Sequence, residues 1–232
     1  MKLSIIIPCY NEKGTILDVL GKVGAAPLPP GVGREIVVVC DGSTDGTREL
    51  LEKNYGSGVP GVKVLYHETN YGKGRAVQTG AAAATGDYLV VQDADLELTP
   101  ADYPALLRPV IEDKAEVVFG SRAKFGFSKM YAHSRFANRV ITGVTNLLYG
   151  SRLSDQACGY KLLSMSAFRS ITLDRSGFEF CSEITAKLLK RGYAIQEVPV
   201  EYFPRSYSQG KKVNWRDGFR ALWTLAKYRI FG

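Results

Sequence analysis

Two aspartates one residue apart, Asp93 and Asp95, form the pattern in this sequence that most directly suggests chemistry. They follow residues 87–92, a run that predicts a buried strand, so both carboxylates are expected at the mouth of a sheet. Two like charges this close are unfavourable unless a positive charge lies between them, and carboxylate oxygens suit Mg²⁺ or Mn²⁺. Such a cation keeps positions open for phosphate, which indicates a metal-assisted enzyme acting on a phosphorylated substrate. The alternative is a polar strand end that caps the next helix.

The first 120 residues predict strands and helices in alternation. The predicted strands cover residues 3–8, 35–40, 62–66, 87–92 and 116–120. The predicted helices are one capped by Asn11 that runs through Leu20, and others over residues 47–55, 73–85 and 101–112. Unbroken apolar strands that alternate with helices indicate an α/β fold, with a Rossmann-like, mostly parallel sheet and helices on both faces.

Ligands of such sheets bind at the carboxyl ends of the strands. Residues 8–10, Asp41 and residues 93–95 all follow predicted strands, so they can converge on one crevice. This convergence weakens the capping alternative for the two aspartates.

The second half of the chain is less regular. It predicts a basic amphipathic helix over residues 125–150, a helix that ends at Gly192, a strand over residues 194–203 and a last helix over residues 216–231.

Positive charge is concentrated in two segments of the second half. The 232 residues carry a net charge of +7, yet residues 1–120 have 11 Lys and Arg against 16 Asp and Glu. Residues 121–152 have six basic residues and no acidic one, and residues 201–232 have seven basic and two acidic residues. Such a surface suits phosphates or anionic lipid. Nucleic acid is the weakest candidate because its recognition motifs are missing.

The four cysteines lie far apart and predict neither a zinc site nor a disulfide framework, which fits a reducing, cytoplasmic compartment. We recognise no signal peptide and no run of about 18 apolar residues that would span a bilayer.

Four signatures stand in order along the chain and carry a family resemblance. They are Pro8-Cys9-Tyr10-Asn11-Glu12, Asp41-Gly42-Ser43-Thr44-Asp45-Gly46-Thr47, Asp93-Ala94-Asp95-Leu96-Glu97 and Gly120-Ser121-Arg122. Together they resemble the family 2 glycosyltransferases, which have the GT-A fold. Further matches are residues 155–161, residues 177–180 with Glu183, and Arg205 with Lys211. These are similar to the dolichol-phosphate mannose and glucose synthases, which move one sugar from a nucleotide donor to a polyprenyl phosphate.

The resemblance implies a set of site residues. Those that would hold the base and ribose of the donor are Pro8, Tyr10, Glu12, Val39 and Asp41, and the pocket would continue to Asp93 and Ala94. Those that would bind Mg²⁺ or Mn²⁺ on the diphosphate are Asp93, Asp95 and Glu97. Those that would contact phosphates are Arg122, Arg205 and Lys211. Chemically, carboxylates accept hydrogen bonds from ribose hydroxyls, and arginine forks suit phosphate oxygens.

The sequence departs from the family pattern at two places. Cys40 stands where the family usually has the first of two aspartates, and we interpret it as a buried, inert thiol. Residues 159–161 read Gly-Tyr-Lys, which resembles the glucose-transferring branch more than the mannose-transferring one. The donor sugar therefore stays open between GDP-mannose and UDP-glucose types.

The reaction implied is a single displacement with inversion at the anomeric carbon, with the lipid phosphate as nucleophile. The residues to which we assign a catalytic part are Asp95, Arg122 and Asp155. Arg122 and Arg139 are the candidates to receive the acceptor phosphate. Asp155 would orient sugar or acceptor, or else cap its loop.

A lipid acceptor requires contact with a membrane, so we divide the chain into a glycosyltransferase domain, residues 1–215, and a basic amphipathic helix, residues 216–232. One apolar stripe of this helix contains Phe219, Leu222, Trp223, Ala226 and Ile230. It would either lie in the membrane interface or pack on the sheet as core. We expect attachment to be peripheral, on the cytoplasmic face, or through a membrane-protein partner.

Two other functions stay open. One keeps the fold but uses a saccharide or another non-lipid acceptor, and the other is a non-catalytic subunit that binds nucleotide-sugars. A sugar nucleotidyltransferase is less consistent with the sequence, because residues 8–12 are not a glycine-rich basic loop.

Overall fold

The computed structural model describes residues 1–126, 130–205 and 215–231. The strands are β1 (Lys2–Cys9), β2 (Gly33–Asp41), β3 (Val62–His67), β4 (Tyr88–Val91), β5 (Val117–Ser121), β6 (Lys161–Ser164) and β7 (Gln196–Pro199). The helices are α1 (Ile16–Ala25), α2 (Thr47–Tyr55), α3 (Lys73–Ala83), α4 (Tyr103–Asp113), α5 (Ala132–Tyr149), α6 (Met165–Arg169), α7 (Phe180–Lys190) and α8 (Trp215–Phe231).

The strands form one seven-stranded sheet in the order β3-β2-β1-β4-β6-β5-β7. β1 pairs in parallel with β2 and β4, β2 with β3, and β5 with β7. Only β6, among the strands described, runs antiparallel, and it pairs with both β4 and β5. The sheet confirms the expected mostly parallel α/β fold.

Both faces of the sheet are covered, which explains the unbroken apolar runs. Along β1, Ile5 and Ile7 belong to the core beside α1 and α4, whereas Ile6 belongs to the core beside α3 and α7. Gly80 of α3 permits a close approach, because a Cβ there would lie 2.5 Å from Ile6 Cγ2. Alternate residues of one strand are thus buried on opposite sides.

Several predicted boundaries need correction. β6 was not predicted, because the strand has only four residues and follows an irregular loop. α5 begins at Ala132 rather than at residue 125, and α3 ends at Ala83. β7 is shorter than predicted, and Tyr202 instead forms an isolated bridge with Leu98. This bridge places residues 200–205 beside residues 93–98, the acidic loop that follows β4.

The last helix packs on the domain through one face. Ala221, Leu225 and Tyr228 of α8 are buried in a cluster with Ile141 of α5 and Ala186 of α7. The opposite face is exposed. Within the described parts of the chain, no helix combines the length and apolar character needed to cross a membrane.

Candidate active site

The carboxyl ends of β1 and β2 form one wall of the predicted donor pocket. Pro8 and Val39 are register partners on these adjacent parallel strands, and both are buried. Tyr10 is half-buried at the end of β1, and Glu12 is buried just beyond it. The structure therefore brings these four predicted residues to one edge of the sheet.

Asp41 organises the neighbouring loop. Its Oδ1 lies 2.6 Å from Nδ1 of His67 and accepts a hydrogen bond from the backbone N–H of Tyr71 at 3.0 Å. Its Oδ2 accepts from the N–H of Gly72 at 2.7 Å. Asp41 is thus buried and bonded to its own protein, and any donor contact would use the one remaining lone pair, on Oδ2.

The acidic loop after β4 carries the predicted metal ligands. Asp95 Oδ1 accepts from the N–H of Glu97 at 3.0 Å, and Leu96 between them has a left-handed φ of 61°. Burial, together with the charges of Asp93 and Glu97, raises the pKa of Asp95 to about 7. Ala94, inside the same loop, is buried. The loop therefore carries three carboxylates and no positively charged residue of its own.

Lys73, at the start of α3, forms an ion pair with Asp93 Oδ1. Its ammonium group also lies 5.7 Å from the ring centroid of Phe178 and 5.6 Å from that of Phe180. Burial alone would lower the pKa of Lys73, but the charge of Asp93 raises it, so the side chain stays protonated. A lysine thus supplies part of the positive charge that the sequence assigned to a metal ion.

Arg205 supplies a second positive charge, and it lies 193 residues after Glu12 in the chain. Its two terminal nitrogens donate to the two carboxylate oxygens of Glu12 at 3.1 and 3.2 Å. Its Nη2 lies 3.6 Å from Asp95 Oδ2, and its backbone N–H donates to Glu97 Oε1 at 2.9 Å. Arg205 therefore joins the donor wall to the acidic loop.

Arg122 and Asp155 form a buried, bidentate ion pair. Nε and Nη2 of Arg122 donate to the two oxygens of Asp155 at 2.7 and 2.8 Å, and the backbone N–H of Arg122 donates to Oδ2 at 2.9 Å. The guanidinium also lies 5.1 Å from the ring of Tyr202, whose hydroxyl donates to Glu97 Oε2 at 3.0 Å. Asp155 is fully buried, and both of its carboxylate oxygens accept hydrogen bonds from Arg122.

Two predicted phosphate-binding residues remain, Arg139 and Lys211. Arg139 is exposed on α5, while its neighbour Asn138 is buried and accepts from the N–H of Ala157. Lys211 lies outside the described residues.

The acidic loop fits a divalent cation by its donor chemistry. It offers three carboxylates within five residues, and burial together with their mutual charge raises the pKa of one of them, Asp95. Within residues 1–126, 130–205 and 215–231, however, no three His, Cys, Asp or Glu side chains are already grouped as a metal ion would require. Asp93, Asp95 and Glu97 as metal ligands therefore stay a prediction.

Sequence reasoning missed Lys73, His67, Tyr202 and Gln92. The Gly72-Lys73-Gly74 sequence was a usable signal, because two glycines beside a lysine let a backbone approach closely. In the structure, a Cβ at Gly72 would lie 2.5 Å from the carbonyl oxygen of Ser176. Nothing local in the sequence marks the other three residues.

The sheet, with its acidic loop and basic partners at the carboxyl edge, has the GT-A architecture of nucleotide-sugar transferases. A family model described as Glycosyl transferase family 2 matches residues 4–172. The protein belongs to this family and is a glycosyltransferase.

Similar proteins include one whose name states a lipid acceptor. The UDP-N-acetylglucosamine--dolichyl-phosphate N-acetylglucosaminyltransferase of Methanococcus voltae is 29% identical over 244 residues, which cover 97% of this chain and 95% of the relative. The low-salt glycan biosynthesis hexosyltransferase Agl6 of Haloferax volcanii is 29% identical over 221 residues, which cover 94% of this chain. This chain spans only 51% of the Haloferax protein.

Among solved structures, glucosyl-3-phosphoglycerate synthase from Mycobacterium tuberculosis, in complex with Mn²⁺, UDP and phosphoglyceric acid, superposes with a TM-score of 0.74 at 21% identity. The match covers 100% of this chain and 79% of the other. The same enzyme with Mg²⁺ and UDP gives a TM-score of 0.71 at 21% identity, with 98% and 79% covered. At this identity the match shows the fold.

Proposed function

We propose that the protein transfers a single sugar from a nucleotide-sugar to a polyprenyl phosphate such as dolichyl phosphate, with inversion, assisted by Mg²⁺ or Mn²⁺. The observation that carries the proposal is the meeting of the acidic loop with Lys73 and Arg205 at the carboxyl edge of the sheet, and with Arg122 through the side chain of Tyr202. Such a site would suit a diphosphate and a second phosphate close to each other. The Methanococcus relative, whose name includes dolichyl-phosphate, supports a lipid acceptor.

The donor would lie along the ends of β1, β2 and β4. Pro8, Tyr10, Glu12, Val39 and Asp41 would hold its base and ribose, and Asp93 and Ala94 would extend this wall. Asp93, Asp95 and Glu97 would hold a divalent cation, which neutralises diphosphate charge and so improves the leaving group. Arg205, and Lys211 outside the described residues, would contact the phosphates.

The transfer needs no strong base, because the acceptor phosphate is already anionic near neutral pH. One of its oxygens forms a bond to the anomeric carbon while the bond from that carbon to the diphosphate oxygen breaks, and the bonding electrons leave with the nucleoside diphosphate. The protein's work is orientation and charge stabilisation. Arg122 would receive the acceptor phosphate, and Asp155 would act by holding the Arg122 guanidinium in one orientation.

The test is transfer of labelled sugar to a short polyprenyl phosphate, with Mn²⁺, from UDP-glucose, UDP-N-acetylglucosamine and GDP-mannose in parallel. We expect a lipid-linked product from one donor, formed about 10³-fold more slowly with Asp95→Asn. Asp113→Asn, which changes an exposed carboxylate at the end of α4, is the matched control and should keep activity. Transfer to a soluble phosphorylated or saccharide acceptor instead would contradict the lipid assignment, and absence of any transfer would favour a binding subunit.

The surface of α8 supports contact with a membrane. Phe219, Trp223 and Ile230 are exposed by 67%, 64% and 70%, so these three residues of the stripe are not core, whereas Leu222 packs against the cluster that α8 forms with α5 and α7. Arg216 and Arg220 are also exposed on this helix, whereas its one acidic residue, Asp217, is buried. Aromatic and basic side chains together suit a helix that lies in a membrane interface.

Helix α5, which packs against α8, has a similar exposed stripe. Phe136, Val140 and Leu147 lie at helical spacing and are exposed by 71%, 38% and 84%. α5 contains no acidic residue, and Arg139 is exposed beside the stripe. We therefore propose that α5 and α8 attach the protein peripherally to an anionic membrane surface, as found on the cytoplasmic leaflet.

Vesicle sedimentation tests this attachment. We expect binding to phosphatidylcholine vesicles that contain phosphatidylserine, weaker binding without phosphatidylserine, and about 10-fold weaker binding for Trp223→Ser. Ile111→Ser is the control, because Ile111 is an exposed apolar residue on α4. Equal binding to both vesicle types, or equal loss with Ile111→Ser, would contradict the proposal and favour a membrane-protein partner.

A further inference from the structure

Gln92 is a buried polar side chain at the end of the apolar strand β4. It is 1% exposed, and its backbone N–H still donates to Ile6 in the neighbouring strand β1. A buried amide is unfavourable unless its polar atoms are hydrogen-bonded. Its partners therefore show why a polar residue is accommodated there.

The Gln92 amide makes four hydrogen bonds. Nε2 donates to the carbonyl oxygens of Asp93 at 3.0 Å and Leu98 at 3.3 Å. Oε1 accepts from the hydroxyls of Tyr103 at 2.8 Å and Tyr160 at 2.7 Å. These bonds use both donors and both lone pairs of the amide.

The chemistry of the partners fixes the orientation of this amide. Two backbone carbonyls can only accept, so the nitrogen must face Asp93 and Leu98. Burial raises the pKa of Tyr103 and of Tyr160 well above the usual value, so both hydroxyls keep their protons and can donate to Oε1. A flipped amide would place Oε1 against two carbonyl oxygens.

The two carbonyls on Nε2 belong to the two ends of the acidic loop. Asp93 opens the segment, Leu98 closes it, and Asp95 and Glu97 lie between them. The segment contains three carboxylates that repel one another and a non-glycine residue, Leu96, with φ of 61°. Both features disfavour this conformation, so hydrogen bonds that join the two ends of the loop stabilise it.

We propose that Gln92 is a positioning residue that clamps the acidic loop and sets the spacing of its carboxylates before donor and cation bind. Tyr103 from α4 and Tyr160 from the segment before β6 hold the amide from the other side. The inference deepens the proposed function, since the clamped loop is the one assigned to the cation.

The test compares two ways of cutting the same network. Gln92→Met removes the bonds to the loop, whereas Tyr103→Phe and Tyr160→Phe remove one hydroxyl each and leave the loop bonds intact. Gln92→Glu is the second variant if Gln92→Met does not fold, because its carboxylate still accepts from both tyrosines but loses the two donors. The readouts are the Mn²⁺ dissociation constant by electron paramagnetic resonance and hydrogen exchange of the amides of residues 94–98.

With Gln92→Met or Gln92→Glu we expect about 10-fold weaker Mn²⁺ binding and faster exchange across the loop. With either tyrosine variant we expect Mn²⁺ affinity within about twofold of the starting protein, because the loop bonds remain. Unchanged exchange in both Gln92 variants, or equal weakening in the tyrosine variants, would overturn the clamp. If the unaltered protein binds no Mn²⁺, the proposed function fails, while the exchange experiment still decides the clamp.

Discussion

Glu35 and Asp95 are carboxylates at opposite edges of the sheet, and their surroundings shift their pKa values in opposite directions. At the amino edge, Glu35 accepts hydrogen bonds from Ser4, from Thr85 and from the N–H of Gly86, and it lies 3.0 Å from the Lys2 ammonium. Burial alone would raise its pKa, but bonds from Ser4, Thr85 and Lys2 lower the pKa of Glu35 to about 2. At the carboxyl edge, burial and like charges instead raise the pKa of Asp95 to about 7.

The difference separates stability from binding within one sheet. Glu35 is neutralised by groups that belong to the protein, so its ionised form stabilises the fold. The acidic loop holds more charge than Lys73 and Arg205 offset, so it favours an additional positive ligand. Substitutions at the two edges should therefore divide between loss of activity and loss of stability.

The largest expected effect is on activity, at the carboxyl edge. Asp95→Asn should lower transfer about 10³-fold, the loss expected when charge stabilisation is removed from a reaction centre. In chelator it should not lower the free energy of unfolding, because it relieves repulsion by Asp93 and Glu97. Steady-state rates and urea denaturation measure the two quantities. Marked destabilisation with normal activity would reverse the comparison.

The second largest effect is expected for the Arg122–Asp155 ion pair, where a substitution should lower both stability and activity. Asp155→Asn should lower the free energy of unfolding by about 3 kcal/mol, because it leaves the Arg122 guanidinium buried without its counter-ion. Activity should fall as well, since Arg122 loses its orientation. Urea denaturation and transfer assays check both, with Asp174→Asn, an exposed ion-paired aspartate, as the control. A stable Asp155→Asn protein would show that the pair is not needed for the fold.

The smallest effect is on stability alone, at the amino edge. Glu35→Gln should lower the free energy of unfolding by about 2 kcal/mol at pH 7 and leave transfer unchanged. Because the folded-state pKa of Glu35 is depressed to about 2, its contribution is present above pH 4.5 and is lost as pH falls toward 2. The two proteins should therefore converge in stability at low pH. Parallel pH curves would show that ionised Glu35 does not stabilise the fold.

The sequence predicted much of the fold because its signals are local. Apolar runs and helix periodicity located β1 to β5, and helix α2 was predicted at its observed bounds, Thr47–Tyr55. The antiparallel β6 escaped prediction, because only two of its four residues, Leu162 and Leu163, are apolar, and so short a run does not indicate a strand. The exposed stripe of α8 was equally undecidable, since the same spacing suits a core or a membrane face until the packing partner is known.

By itself, the sequence determined which residue types follow each strand, and parallel pairing then had to bring Asp41 and the acidic loop to one edge. Only the tertiary structure decided which charges meet: Glu12 with Arg205, Asp93 with Lys73, and Arg122 with Asp155. It also decided that Gln92 joins the two ends of the acidic loop. The physical reason is that such pairs form between segments distant in the chain, where burial and geometry rather than local spacing select the partner.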